Sequence, residues 1–268
     1  MKKLFSFALV SILLVGLLAA CGQGGAGTEQ TADNNGENKE EKKVLIMGTS
    51  ADYPPFEYVD TAKGEEIIGF DVDLAKAITE KLGYDLEVKD IEFSGLIEAL
   101  KSGKVDIVLA GMTPTEERKQ SVDFSDIYYT ANHMIVSKKD SGIQSVEDLE
   151  GKTVGVQLGS IQEEKANEIK ETINIKIESR NRVPELIQEI KAGRFDAAII
   201  EDTVAKGYLD NNADLVGFTM VNEEEAGSAV AFPKGNEELV TQFNEIIKEM
   251  KENGEMEALI NKWFGGNE

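Results

Sequence analysis

Two segments of the chain repeat one another, and this repeat limits the fold more than any other feature. Residues 99–113 (ALKSGKVDIVLAGMT) align without gaps with residues 189–203 (EIKAGRFDAAIIEDT), and Lys, Gly, Asp and Thr coincide. Each copy has the pattern of a helix end, a Gly cap, a basic residue and a buried strand that begins at an Asp. The period is too long for a solenoid, so the repeat predicts two similar α/β lobes that face each other.

The segments around the first copy alternate between strand and helix patterns. Apolar runs predict strands at residues 44–47, 86–88 and 105–109. Apolar residues at the helical period predict helices at residues 71–82 and 94–101. Alternation of this kind is typical of a parallel α/β sheet.

The ends of the two repeated strands are the expected binding edges. Residues 110–113 and 200–203 would lie at equivalent edges of two parallel sheets. Ligands of open α/β sheets bind outside the carboxyl ends of the strands. We therefore expect a pocket between the lobes, with one such edge from each lobe.

Two capping patterns place helix starts near these edges. The segment Thr113-Pro114-Thr115-Glu116 predicts a helix with Pro at its first position, and Ser160 with Glu163 predicts another. The first amides of a helix lack partners within the helix, and such amides bind anions.

Arg118 lies within the first turns of the helix predicted from Thr113. Its guanidinium could offer two parallel donors to a carboxylate. On spacing alone, a surface salt bridge with Glu116 or Asp123 is the simpler interpretation.

Two acidic residues, Glu201 and Asp202, close the second repeated strand. An acid at this point could meet an ammonium group. An equal alternative is that Asp202 caps a helix that continues through residues 204–209.

Tyr53 and Phe93 each follow a predicted strand. Packing in the core is the default role for aromatic side chains. On either side of a cleft, however, the two rings could hold an aliphatic stem or a guanidinium. A cation over each ring would contribute about 0.5–2 kcal/mol.

The composition excludes several functional classes. The chain has 28 Lys and Arg against 50 Asp and Glu, with a net charge of -22, whereas nucleic-acid binding needs clustered basic residues. One His and one Cys are too few for the usual zinc ligand sets. No catalytic set of Ser, His and Asp or of Cys and His is recognisable, so we predict no enzymatic activity and no cofactor. We interpret His133 as structural.

The N-terminus has the pattern of a secretory signal. Two lysines precede an apolar run at residues 4–20, which ends in Leu-Ala-Ala-Cys at Cys21. This tetrad resembles the bacterial lipoprotein signal, which implies that residues 1–20 are removed and that Cys21 is lipidated. A transmembrane anchor is the alternative. Residues 21–43 contain no large apolar residue and are predicted to be a flexible tether.

Six further segments together resemble one known family, the extracytoplasmic polar amino-acid-binding proteins of ABC importers. Within it, the arginine-binding lipoproteins are the most similar group. The segments are TSADYPPFEY (49–58), IGFDVDLAKAI (68–78), AGMTPTEERKQSVDFSDIYYT (110–130), GVQLGSIQEEKA (155–166), AFPKG (231–235) and KEMKENGEMEALINKWFG (248–265).

The resemblance implies an α/β, two-lobed periplasmic-binding-protein-like fold of type II, with two hinge crossovers and a ligand cleft between the lobes. Lobe 1 would comprise residues 44–129 and 227–268, and lobe 2 would comprise residues 130–226. The crossovers would lie near residues 128–132 and 224–228.

The resemblance also implies a function. The protein would be an extracytoplasmic monomer, lipid-anchored through Cys21, that captures arginine, or else lysine or histidine, and delivers it to an ABC permease in the membrane. The alternatives are binding of another polar amino acid such as glutamine, an enzyme on the same scaffold that uses Glu201 or Asp202 as acid or base, and a solute sensor.

Carried over position by position, the resemblance assigns five residues to the α-carboxylate and α-ammonium groups of the ligand. Arg118 and the backbone of Gly111 and Thr113 would bind the α-carboxylate. Asp202, the Ala110 carbonyl and the Thr113 hydroxyl would bind the α-ammonium.

The ligand side chain is assigned to both lobes. Tyr53 and Phe93 of lobe 1 would sandwich it. Four residues of lobe 2 would close over it: Gln157, Ser160, Ile161 and Gln162.

By its position Ser50 is also assigned to the ligand site, but it departs from the family pattern, because many relatives have an Asp there that contacts the ligand side chain. The charge that pairs with a guanidinium must then come from elsewhere, and Asp71 and Glu201 are the candidates. Asp71 could instead cap its own helix, and Glu201 could face solvent.

Overall fold

The computed structural model of the protein describes residues 42–220 and 226–265. The predicted signal peptide, Cys21 and almost all of the predicted tether lie outside these ranges, as does the start of the second predicted crossover. Within the described ranges the chain forms fifteen strands and eight α-helices. None of these helices is both long enough and apolar enough to span a bilayer.

The strands are β1 (Val44–Thr49), β2 (Asp52–Tyr53), β3 (Glu57–Asp60), β4 (Glu66–Ile68), β5 (Asp85–Asp90), β6 (Ile107–Val108), β7 (Val122–Phe124), β8 (Tyr129–Ala131), β9 (His133–Lys138), β10 (Thr153–Gln157), β11 (Lys176–Arg180), β12 (Ala197–Glu201), β13 (Leu215–Thr219), β14 (Ala226–Ser228) and β15 (Ala231–Pro233). The helices are α1 (Phe70–Lys81), α2 (Leu96–Lys101), α3 (Glu116–Ser121), α4 (Ile161–Lys170), α5 (Val183–Lys191), α6 (Asp202–Asp210), α7 (Glu237–Asn253) and α8 (Glu255–Phe264).

Two five-stranded sheets of similar design form the molecule. The first has the order β5-β1-β6-β15-β7 and the second has the order β11-β10-β12-β9-β13. We call the first sheet, the small three-stranded sheet β2-β3-β4 that packs on α1, and α1, α2, α3, α7 and α8 lobe 1. The second sheet with α4, α5 and α6 is lobe 2. The expected two-lobed α/β fold is confirmed.

The sheets are mixed, whereas the alternation of strands and helices predicts parallel ones. In each order the fourth strand, β15 or β9, runs antiparallel to the other four strands, which are parallel to one another. The reason lies in the connections. Strands β9 and β15 follow β8 and β14, and each enters its sheet beside the carboxyl end of a parallel strand, so each must run in the opposite direction.

Strands β8 and β14 pair antiparallel as a separate ribbon between the two sheets, from Ala226 opposite Ala131 to Ser228 opposite Tyr129. This ribbon contains part of each predicted crossover. The lobe boundaries predicted at residues 129/130 and 226/227 fall within it and stay predictions.

The sequence repeat corresponds to a repeated structure. Gly103 and Gly193 both follow a helix at positive φ, 70° and 72°. One carboxylate oxygen of Asp106 accepts from the backbone N–H of Ile46 at 2.8 Å, and one of Asp196 accepts from that of Thr153 at 2.8 Å. In both lobes the repeated Asp therefore fixes the neighbouring parallel strand, and the predicted equivalence of the two segments is confirmed.

The last helix packs against the ribbon through a cluster of aromatic rings. The ring of Phe264 stacks on Tyr129 at a centroid distance of 4.4 Å, and Phe56 and Phe70 pack against both rings. The indole N–H of Trp263 donates to Asp73 at 2.8 Å. Helix α8 thus joins lobe 1 to one strand of the ribbon.

Candidate functional site

A cavity lies where the carboxyl edges of the two sheets meet. The first repeat contributes Ala110, Gly111 and Thr113 to its wall, and the second contributes Glu201. The cavity volume is about 10 Å³, room for roughly one water molecule, so the wall residues lie close together in this structure. Its remaining lining residues are Tyr53, Phe93, Arg118, Gln157, Ser160, Ile161 and Gln162.

Eleven of the fourteen residues that the sequence assigns to the ligand site line this one cavity. Ser50, Asp71 and Asp202 lie outside its lining. The structure therefore brings most of the assigned residues together, while their contact with a ligand stays a prediction.

Arg118 is buried in the wall with 7% of its surface exposed. Its Nη1 donates to the carbonyl oxygen of Thr113 at 2.8 Å, and its Nη2 donates to that of Gly159 in lobe 2 at 2.8 Å. The guanidinium carbon lies 5.4 Å from the centre of the Phe93 ring. Burial lowers the pKa of Arg118, but a guanidinium remains charged in proteins.

The simpler interpretation of Arg118 is wrong. Glu116 forms its salt bridge with Lys119 at 2.8 Å, and Asp123 forms one with Lys234 at 2.7 Å. In the described part of the chain no carboxylate lies within salt-bridge distance of Arg118, and the charges of Glu164 and Glu117 act on it only from farther away, so the wall can attract an anion at this point.

The helix predicted from Thr113 begins later, at Glu116. The hydroxyl of Thr115 accepts from the backbone N–H of Arg118 at 3.3 Å and is the cap. The Thr113 carbonyl accepts from the Thr115 amide at 3.0 Å as well as from Arg118, so the intervening residues form a turn. Helix α3 has only six residues, so we do not assign an anion site to its N-terminal amides. The side chain of Arg118 is the group in this segment that fits a carboxylate.

Lobe 2 meets the cavity with the start of α4. Ser160 caps this helix by accepting from the Glu163 amide at 3.2 Å, and its hydroxyl donates to the Gln157 carbonyl at 2.7 Å. The Glu163 carboxylate accepts from Gly159 at 2.7 Å rather than from Ser160, so only half of the predicted capping box forms. The amide of Gln162 lies 3.3 Å from Nδ1 of His133, which gives that histidine a structural contact.

Three buried carboxyls, those of Glu57, Asp71 and Glu201, form what we call the acidic cluster. One oxygen of Asp71 accepts from the Gly111 amide at 2.9 Å and from the Tyr128 hydroxyl at 2.8 Å. The Tyr53 hydroxyl donates to Glu201 at 3.4 Å. Within the described residues, four buried carboxyl oxygens have no amide, hydroxyl or cationic donor: Oε1 and Oε2 of Glu57, Oδ1 of Asp71 and Oε1 of Glu201.

Burial dominates the electrostatics of the acidic cluster. It raises the pKa of Glu57 well above the usual range, and the neighbouring Asp71 raises it further. Burial also raises the pKa of Glu201 well above the usual range, with Asp202 and Asp71 adding to the effect. The pKa of Asp71 rises to about 6 for the same reason, although the Gly111 amide and the Tyr128 hydroxyl lower it. A cation near these groups would stabilise their ionised forms.

The two alternatives for the side-chain acids are both wrong. Glu201 is 7% exposed and lines the cavity, so it does not face solvent. Asp71 does not cap α1, because Gly69 is the cap residue and contributes no side chain.

A family model matches residues 45–266 and describes the bacterial extracellular solute-binding proteins, family 3. The chain belongs to this family.

Full-length relatives agree with this result. The arginine-binding extracellular protein ArtP of Bacillus subtilis (strain 168) is 58% identical over 268 residues, 99% of each chain. A crystal structure of the substrate binding protein of an amino acid ABC transporter has 50% identity and a TM-score of 0.79, covering 83% of this chain and 99% of that one. An ancestral arginine-binding protein bound to arginine has 43% identity and a TM-score of 0.77, with the same coverage. These relatives are named as binding proteins.

In this solute-binding protein, Asp202 lies outside the lining of the cavity. It is the first residue of α6, whose cap residue is Glu201, so the predicted capping role is wrong. Its carboxylate accepts from the Asn132 amide at 3.2 Å and pairs with Lys206 at 3.4 Å. Glu201 ends strand β12 and Asp202 begins helix α6, and only Glu201 of this adjacent pair lines the cavity.

The Gly111 amide and Ser50 also differ from their assignments in this solute-binding protein. The Gly111 amide, assigned to the ligand carboxylate, donates to Asp71. Gly111 itself has φ +55°, and a Cβ there would lie 3.2 Å from Cε1 of Tyr53, so the glycine allows that ring to approach. The Ser50 hydroxyl donates to Asp52 at 2.6 Å.

Sequence reasoning missed Glu57 in this solute-binding protein. The alternation of Phe56, Glu57 and Tyr58 predicts that the acid points away from the core. The side chains of both Phe56 and Glu57 are fully buried, because packing covers both faces at this point. The sequence has no local signal for burial of this kind.

Proposed function

We propose that the protein captures arginine in the cavity between its lobes and delivers it to an ABC permease. The observation that carries the proposal is the charge pattern of the site. The wall has one buried guanidinium, while the acidic cluster has three carboxyls and no cationic donor. Arginine is complementary to this pattern, since it carries one carboxylate and two cationic groups.

Arg118 is the proposed partner of the α-carboxylate. Two of its five N–H donors are used by the carbonyls of Thr113 and Gly159, which leaves donors in the plane of the guanidinium for a carboxylate. Since Gly159 belongs to lobe 2, Arg118 would also connect the bound ligand to both lobes.

Glu201 replaces Asp202 as the proposed partner of the α-ammonium. Glu201 lines the cavity and has one oxygen without an amide, hydroxyl or cationic donor, whereas Asp202 already pairs with Lys206. The Ala110 carbonyl and the Thr113 hydroxyl stay in the proposal as neighbouring acceptors.

The acidic cluster is the proposed source of attraction for the side-chain cation. A guanidinium has five donors in a plane and stacks on aromatic faces, whereas an ammonium has three donors at a single point. Tyr53 and Phe93 provide such faces in the same wall. These features favour arginine over lysine, and they disfavour the uncharged side chain of glutamine.

Closure of the lobes is the proposed means of capture. Ligand bound to lobe 1 favours the closed form because only that form brings Glu201, Gln157, Ile161 and Gln162 to it. A lipid on Cys21, supported by the Leu-Ala-Ala-Cys signal, would keep the protein beside its permease.

Calorimetric titration of the ligand-stripped chain, without its first 21 residues, tests the proposal. Arginine should bind at least about tenfold more tightly than lysine, histidine or glutamine, a difference of about 1.4 kcal/mol. Tight glutamine binding without a response to arginine would refute the proposed ligand. Recovery of chemically altered amino acid after long incubation would instead point to an enzyme.

A further inference from the structure

A second set of contacts joins the lobes without lining the cavity. Arg182 of lobe 2 donates from Nη1 and Nη2 to the two oxygens of Asp90 in lobe 1, at 2.7 and 3.1 Å. Its Nη1 also lies 3.3 Å from Oδ1 of Asp52 and 3.3 Å from the Ser50 hydroxyl. Arg182, Asp52 and Asp90 are called the latch below.

Asp52 strengthens the latch by acting on the start of α5. Its Oδ2 accepts from the backbone N–H of Val183, the first residue of that helix, at 2.7 Å. Arg182 occupies the cap position and cannot accept a hydrogen bond, so an acid from the other lobe takes that role. The Tyr208 hydroxyl of lobe 2 adds a bond to the Asp52 carbonyl at 3.0 Å.

The latch belongs to the closed arrangement alone. Each of its bonds has one partner in lobe 1 and the other in lobe 2, so opening the cleft breaks them together. Burial of Asp52, which is 9% exposed, raises the pKa of its carboxyl and opposes closure, so the stabilisation of the closed form comes from the bidentate Arg182–Asp90 pair and the bond from the Val183 amide. The free energy of these contacts therefore favours closure whether or not a ligand lies in the cavity.

We infer that the latch sets the affinity of the protein for all its ligands by the same factor and takes no part in choosing among them. Arg182 acts here as a positioning residue, because it holds the closed state that the ligand selects. A lower closed fraction reduces every apparent affinity equally. The inference rests on the proposed function, since it requires that amino acids bind by closure.

Release must be faster when the latch is broken. The ligand leaves after the lobes separate, so contacts that resist separation slow dissociation more than they speed association. Arg182→Ala should raise the dissociation rates of arginine and lysine alike, by about tenfold, and leave their affinity ratio unchanged.

Arg180→Ala is the matched control. Arg180 pairs with Glu189 at 3.0 Å and lies 4.7 Å from the centre of the Phe195 ring, and all three residues belong to lobe 2. Its loss removes an arginine of similar exposure without touching lobe 1, so dissociation should be unchanged. Arg182→Lys should dissociate more slowly than Arg182→Ala, because it keeps one positive charge near Asp90.

Stopped-flow dissociation with arginine and lysine, together with calorimetry, provides the test. A changed affinity ratio in Arg182→Ala, or a dissociation rate equal to that of Arg180→Ala, would overturn the inference. If Arg182→Ala does not fold, Asp90→Asn removes the charge of the exposed partner and is expected to have a smaller effect in the same direction.

Failure of the proposed function gives a different pattern. If the wild-type protein binds none of the amino acids, that proposal fails, and small-angle scattering alone then tests the latch. The wild-type protein should have a smaller radius of gyration than Arg182→Ala, and equal radii would overturn the inference.

Discussion

The backbone N–H of Gly111 donates to Oδ2 of Asp71 at 2.9 Å, so a carboxyl of the acidic cluster holds a residue of the cavity wall. Asp71 lies outside the cavity lining and Gly111 lies in it, so the bond connects a buried carboxyl to the surface of the cavity. Protonation of Asp71 is therefore expected to change ligand binding in two ways, through the loss of its charge and through the position of Gly111 in the wall.

The adjacent acids Glu201 and Asp202 provide a matched pair for the ammonium site. Glu201→Gln should weaken arginine binding by at least about tenfold, because it removes the carboxylate that lines the cavity. Asp202→Asn should have a smaller effect, since that side chain bonds Asn132 and Lys206. Calorimetry on both variants measures the difference. A larger loss in Asp202→Asn would return the ammonium site to the assignment made from the sequence.

Arg118→Ala should weaken arginine binding by about a hundredfold, because the α-carboxylate loses a buried, charged donor. Agmatine has the arginine side chain but no carboxylate, so its weaker binding should be nearly the same in wild type and variant. Competition titrations with both compounds check this prediction. Equal losses for arginine and agmatine would show that Arg118 acts on the fold of the wall and not on the carboxylate.

The stability of the ligand-free protein should depend on the protonation of Asp71. Its pKa rises from 3.8 to about 6 on folding, so the folded state binds the proton more tightly. The contribution of Asp71 to the free energy of unfolding therefore falls as the pH rises from about 4 to about 6, and the loss is complete above about pH 6.

Asp71→Asn isolates this contribution from the other acids. Thermal unfolding of wild type and variant between about pH 4 and pH 7 should show a difference whose slope lies in that window. Arginine should reduce the slope, because a nearby cation stabilises the ionised carboxyl. If the unfolding temperature depends on pH equally in wild type and Asp71→Asn, the raised pKa of Asp71 is contradicted.

Binding itself should release protons and weaken in acid. Glu57 and Glu201 have pKa values raised well above the usual range by burial, so a cationic ligand must favour their ionised forms. Arginine titrations in buffers of different ionisation enthalpy count the protons released. Proton uptake on binding would have the wrong sign for this cluster.

Gly111→Ala should destabilise the protein by about 1–3 kcal/mol and displace Tyr53. The residue has φ +55°, and its new Cβ would lie 3.2 Å from the Tyr53 ring. Gly103→Ala is the control, since Gly103 has φ +70° but no atom within 4 Å of the added carbon. The free energy of unfolding should be higher for Gly103→Ala than for Gly111→Ala, and arginine affinity should fall only in Gly111→Ala.

The repeat was sufficient to predict the two lobes because its signals are local. A glycine after a helix and an aspartate before a strand act on neighbouring residues, and both copies retain them at Gly103, Asp106, Gly193 and Asp196. The antiparallel strands β9 and β15 could not be predicted in this way. Their direction depends on where the chain enters each sheet from the ribbon.

The cavity wall was predictable where it follows strand ends, as for Ala110 and Thr113. The choice between Glu201 and Asp202 was not, because one residue of uncertainty in the end of a strand exchanges the two faces. Arg182 and Glu57 depend on partners far away in the sequence, and no local pattern indicates them.

The stacking of Phe264 on Tyr129 has a practical consequence for engineering. Tyr129 belongs to the ribbon between the two sheets, about which the lobes would turn. The final helix therefore packs directly against this hinge. A reporter domain fused directly after Gly265 would restrict the movement of this hinge, whereas the same domain on a long linker would not. The length of a C-terminal linker is thus a means of adjusting a biosensor built on this protein, with every ligand contact left intact.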